Sequence, residues 1–333
     1  MLANIDKSTA QAANYGFEGI TMIILVARLV ASRFQPQPFD ISFFVVVLAL
    51  VVLIARALTS HFSLTLGTAS DLVTLIAEGG TATAAQLASA KAGTEISIAN
   101  RVLETTFWWS QSTLLLLLYK RLVAHIKWTK AATIGTWAFL GLSYVGTVVT
   151  IFVECHPFHL YWQTSPDPGK CVKAYRTTVI QCTSLIILDL ALMVIASPVL
   201  FVKGRRTVQR VRIAGLFALG ILCTVFSCLR MVYIFAEDSA QAGRIFWSGL
   251  LVMVCAFVAN APIIYGSITL FTKNVKSSAA EKYVISGQNP SKGTKGAKSG
   301  LDTNVHITTT YHVTTEAGSE EKRVTTVAEQ EVV

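Results

Sequence analysis

Long apolar runs alternate with short polar segments along this chain. Seven runs are long enough, or nearly so, to cross a hydrocarbon core of about 30 Å, which takes about 20 helical residues. They fall at 17–32, 40–59, 101–123, 131–153, 177–202, 213–236 and 245–271. The runs are continuous and rich in Leu, Val and Ile, which predicts helices; a closed barrel needs many short alternating strands. The first run carries Glu18 near one end and Arg28 near the other, and the second has Arg56 close enough to its end to snorkel.

The connections differ in character. Segment 60–100 is long and rich in Ala, Thr and Gly, with one apolar patch, LVTLIA at 72–77, too short to span. Segment 203–212 is short and basic. Beyond Phe271 the chain turns polar and cannot bury a core. The expected division is a short extracellular N-terminus (1–16), a seven-helix transmembrane domain (17–272) and a disordered cytosolic tail (273–333).

Composition narrows the class. Apolar residues make up 53% and charged residues 14%, against roughly 45–50% and 25% in soluble domains. An ordinary soluble enzyme does not fit, and an all-α, multi-pass membrane protein does. The first 15 residues lack the basic start and short apolar core of a cleavable signal, so the first run serves as its own insertion signal.

The net charge of +9 is explained by its distribution. The connections after helices one, three, five and seven hold Arg33, then Lys120, Arg121, Lys127 and Lys130, then Lys203, Arg205, Arg206, Arg210 and Arg212, then Lys273 and Lys276. Acids nearly cancel the bases on the opposite side. The positive-inside rule then predicts an outside N-terminus and a cytosolic C-terminus. The charge is a topology signal and gives no reason to expect nucleic acid.

Candidate chemistry is sparse. Cys155 and Cys171 flank the second outer loop, on the oxidising side, where a disulfide is allowed; the alternative is two free thiols. Cys182, Cys223, Cys228 and Cys255 read as small apolar packers inside helices. His156 and His159 lie in the same outer loop without a second ligand pair, so no metal is expected. Asp189 in the fifth run and Arg230 in the sixth are intramembrane ionisable residues, and these are candidates for polar glue or for a ligand or switch role. Their depths differ by about 10 Å at 1.5 Å per residue, too far for a secure direct pair.

Glu18 and Glu104, near the outer ends of helices one and three, are candidates for an outer cavity. In the seventh run Pro262 predicts a kink, with Asn260 and Tyr265 placed to bond backbone groups that it frees. No lysine precedes Lys273 in that run, so no retinal Schiff base is expected there. Lys120, Arg121, Arg205 and Arg206 are candidates for coupling to an acidic cytosolic partner or to anionic lipid. No nucleophile or ligand cluster suggests catalysis, and no cofactor is called for.

Four stretches carry a family resemblance: RLVASRF at the end of helix one, QSTLLLLLYKRLV at the end of helix three, the loop ECHPFHLYWQTSPDPGKC with Trp162, and LDLALMVIASPVL in helix five. The chain resembles the fungal rhodopsin-like-domain integral membrane proteins over roughly 17–272. The resemblance implies a receptor-like seven-helix bundle in the plasma membrane, with an outer pocket under the Cys155–Cys171 loop that includes Trp162. It implies an unidentified extracellular ligand and a cytosolic signalling partner, a G protein being one candidate. A small-solute transporter and a scaffold without a ligand are the other readings; no repeat between helices 1–3 and 5–7 supports transport.

Overall fold

The computed structural model describes residues 7–33, 39–77, 79–123, 127–163, 173–201, 207–236 and 241–286. Among the described residues there is no strand. The helices are α1 (Lys7–Ser32), α2 (Ile41–Leu66), α3 (Ala69–Ala77), α4 (Ala84–Leu122), α5 (Lys127–Val153), α6 (Tyr175–Phe201), α7 (Thr207–Ala236) and α8 (Gln241–Ser286), with a 3-10 turn at Phe158–Trp162. Residues up to Ala280 form one compact unit; of the second, Glu281–Val333, only the last turns of α8 are described.

Seven of these helices are long, and α3 is a short insertion. Helices α1, α2, α5, α6, α7 and α8 are long and apolar enough to cross a membrane. Helix α4 is the exception in composition, with Lys91, Glu95, Arg101 and Glu104 along its 39 residues. Its position accounts for this. Helices α2, α3, α5 and α6 and the 3-10 turn all pack on α4, so it faces protein where the others face outward. Its Phe107, Trp108 and Leu116 are fully buried at the centre of the main apolar cluster, against Leu25 of α1, Leu53 of α2, Leu188 of α6 and Val252 of α8.

The surface is inverted relative to a soluble protein. Ile23, Phe44, Val51, Ile134, Leu142, Val194 and Val232 point outward, while Arg28, Arg56, Glu18 and Asn260 are buried. An exposed apolar belt of this extent fits a lipid environment. Lipid is as apolar as leucine, so helix association there rests on packing and interhelical polar contacts. Helix α1 shows the pattern: Ala10, Asn14, Glu18, Thr21, Leu25, Arg28 and Ser32 form its buried stripe, at three- and four-residue spacing.

Segment 60–100 is helical over most of its length, where sequence suggested a loop. Helix α2 continues to Leu66 and ends at Gly67, whose φ of +73° suits glycine. Helix α4 starts at a capping box: Thr83 accepts from the Gln86 amide, and the Gln86 side chain accepts from the Thr83 amide. The Ala-rich stretch that follows propagates the helix.

The turn after α2 is clamped to α4. A Cβ on Gly93 would lie 1.9 Å from the Gly67 carbonyl oxygen, and the Ala69 amide donates to Thr94 Oγ1 at 2.9 Å. Helix α1 begins at Lys7, ahead of its apolar run, and α8 continues past residue 272 to Ser286. Residues 287–333, Arg205, Arg206 and Cys171 lie outside the described residues.

Candidate functional site

Helix α1 brings Asn14 and Glu18, one turn apart, against Arg56 of α2. Arg56 Nη1 donates to Glu18 Oε1 at 2.5 Å, and Asn14 Nδ2 donates to the same oxygen at 2.9 Å. The other arm of the guanidinium faces α4 and α8: Nη2 donates to Ser248 Oγ at 2.8 Å and lies 3.4 Å from Glu104 Oε1. Ser248 in turn donates to Glu104 at 2.6 Å. Asn100, one turn before Glu104, donates to it at 3.1 Å and accepts from Thr59 and Ser60 of α2. Gly249 makes the α1–α8 approach possible, since a Cβ there would meet Asn14 Oδ1 at 2.6 Å.

Arg230 extends this network to α6 and α7. Its Nη2 lies 4.0 Å from Glu104 Oε2, its Nη1 donates to Gln181 Oε1 at 3.3 Å, and its guanidinium stacks 4.5 Å from the Trp108 ring centroid. Gln181 is held by a 2.8 Å bond to Thr105 Oγ1. Two carboxylates and two guanidinium groups thus join α1, α2, α4, α6, α7 and α8 inside the bundle. Each charge would be costly there without its partner.

At the Trp162 end of the bundle the network opens on a cavity of about 30 Å³, lined among others by Arg101, Glu104, Gln181, Arg230, Gln241 and Arg244. Gln241 donates to Ser63 at 2.9 Å and accepts from Arg244. Glu154, at the end of α5, receives the amides of Arg176 and Thr177 and the Thr177 hydroxyl. A carboxylate at that place satisfies the orphan donors of the α6 N-terminus and complements its dipole.

Deeper in the bundle, Asn260 Nδ2 donates to Gln111 Oε1 at 3.1 Å and to its own helix at Ala256 O at 2.7 Å. Pro262 lies within α8 two residues on. A second cavity of about 10 Å³ is lined by Trp108, Gln111, Asp189, Cys223 and Cys255 among others. At the opposite end from Trp162, Asp40 caps α2 through Ser42 and accepts from Arg121 of α4. Burial works against the Asp40 charge, but the Ile41 and Ser42 amides and the Arg121 guanidinium outweigh it and hold the carboxyl below its usual range.

The predicted residues therefore separate into groups. Glu18, Glu104 and Arg230 converge on one network, and Glu104 and Arg230 line its cavity. Asp189 faces the second cavity, and Arg230 takes Glu104, Gln181 and Trp108 as its neighbours. Trp162 is half-buried outside the cavity, with Lys91 of α4 5.5 Å from its ring centroid and the Phe158 ring edge-on at 5.4 Å. Cys155 is buried in a small cluster with Ile98, Ile151 and Tyr161. Lys120 and Arg121 are exposed, and Tyr265 faces outward.

Arg56 is the correction. From sequence it reads as a snorkelling end residue; α2 continues ten residues beyond it, and the side chain is fully buried at the centre of the network. Arg101 and Arg244, also cavity-lining, carried no expectation. The available signal was Glu18: an acid in the first membrane helix requires a buried cation, and Arg56 is the arginine of the neighbouring helix.

No curated protein and no solved structure matches the chain. The family model for the fungal rhodopsin domain matches residues 25–270, most of the seven-helix bundle. The chain therefore belongs to the fungal rhodopsin domain family.

Proposed function

We propose that this protein is a receptor-like integral membrane protein of the plasma membrane. In this reading the Trp162 end faces outward, an extracellular cue enters there, and helix shifts are read by cytosolic proteins at Lys120, Arg121, Arg205 and Arg206. The observation that carries it is the buried charge network, which ties six helices to one cavity at one end of the bundle. A ligand that competes for Glu104 or Arg230 alters the packing of every helix that the network holds. Pro262 and the Asn260–Gln111 bond lie on the way to the other end and give α8 a place to bend.

The Lys and Arg bias supports an outside N-terminus. The same orientation puts Cys155 in an oxidising compartment, where pairing with Cys171 closes the outer loop. No catalytic role and no retinal are part of this reading.

Co-purification tests it. The intact protein is isolated in mild detergent with cytosolic proteins of its host, alongside the Arg205→Ala/Arg206→Ala variant. Recovery of a G-protein α subunit or another signalling protein with wild type, and its loss with the variant, is the expected result. Folded wild type that recovers no cytosolic protein contradicts the reading, and solute flux in proteoliposomes then becomes the next measurement.

A further inference from the structure

We propose that the cavity at the Trp162 end binds the carboxylate group of a small organic acid. The claim deepens the receptor reading and rests on it only for the side from which the ligand arrives. Three guanidinium groups, from Arg101, Arg230 and Arg244, line the cavity together with one carboxylate, Glu104. Its Oε1 is already engaged by Arg56, Ser248 and Asn100, which leaves Oε2, 4.0 Å from Arg230 Nη2, for the three. Among the described residues the other acids acting on these groups are Glu154, committed to the α6 N-terminus, and Asp71, which is bonded to Lys7 and the Thr68 amide. Arg244 bonds to Gln241, a neutral group that cannot balance its charge.

Two donors remain open. Arg230 Nε and Arg244 Nη1 are buried and have no hydrogen-bond acceptor among the described residues. Arg230 is only 4% exposed, held in place by Gln181 and the Trp108 ring. A buried guanidinium donor without an acceptor is costly, and an anion supplies both the acceptor and the charge. The fork of N–H groups on arginine matches a planar carboxylate. A cavity of about 30 Å³ takes about two waters, and the two oxygens of a carboxylate head occupy the same room.

The test uses the purified full chain in detergent, with acetate as probe, acetamide as its neutral isostere and chloride at matched ionic strength. Thermal unfolding and tryptophan fluorescence are followed, with Trp108→Phe to assign the optical signal. Acetate is expected to raise the unfolding temperature saturably and to perturb Trp108, while acetamide and chloride do neither. Arg244→Gln should weaken acetate binding about tenfold or more, and Arg244→Lys, which keeps the charge, should weaken it less. Acetate that acts no better than chloride or acetamide overturns the proposal, as does an Arg244→Gln variant that binds like wild type. If Arg244→Gln does not fold, the wild-type comparison of acetate with acetamide decides alone. Acetate binding without a recovered cytosolic partner keeps the site and removes the receptor reading; a recovered partner without acetate binding does the reverse.

Discussion

Arg56 Nη1 lies 2.5 Å from Glu18 Oε1, with both side chains almost wholly out of solvent. The pair joins the first two helices, and the second arm of Arg56 carries the link to α4 and α8. Removing one partner leaves an uncompensated buried charge, which costs about 3–5 kcal/mol. Arg56→Met should therefore lower thermal stability in detergent strongly. The Glu18→Gln/Arg56→Met double variant should recover part of the loss, which a double-mutant cycle measures as coupling.

Gly93 is required by the turn after α2. A Cβ there would sit 1.9 Å from the Gly67 carbonyl oxygen, so backbone must move. Gly93→Ala should destabilise by about 1–3 kcal/mol. Gly141→Ala, inside α5 with nothing within 4 Å of the new Cβ, is the control and should be no less stable than wild type.

The Asn260–Gln111 bond joins α8 to α4 beside Pro262. Interhelical bonds of this kind contribute about 0.6–1.7 kcal/mol in membranes. Asn260→Leu should cost that order in an unfolding titration, with Gln111→Leu non-additive to it.

Asp40 makes stability depend on pH. Its folded carboxyl titrates below the unfolded value of about 3.9, so its contribution is full above that value. The contribution is lost as pH falls through the lower folded value. The Tm difference between wild type and Asp40→Asn should hold from neutral pH down to about 4 and close below it. A difference that widens on acidification contradicts the role given to the Asp40 charge.

The helices were legible because lipid imposes long apolar runs, and each of the seven long helices contains one. Helix α4 shows the limit. Its first half is Ala- and Thr-rich and charged, carries no apolar run, and is held as a helix by the Thr83 capping box, its Ala content and its packing on neighbouring elements. For the site, Glu18, Glu104 and Arg230 stood out as ions in apolar segments. Arg56 was misplaced because the apolar run ends near it while the helix does not. Asn14, Asn100, Gln181 and Ser248 are neutral and common, and only the packing of α1, α4, α6 and α8 gives them partners.

Orientation tests the central claim most directly, since a cue-sensing cavity must face outward. Ala88→Cys, exposed on the first turns of α4, and Lys130→Cys, exposed at the start of α5, lie at opposite ends of the bundle. Intact cells would be treated with a membrane-impermeant maleimide, before and after permeabilisation. The account predicts labelling of Ala88→Cys in intact cells and of Lys130→Cys only after permeabilisation. The reverse pattern would place the cavity in the cytosol and contradict the receptor reading.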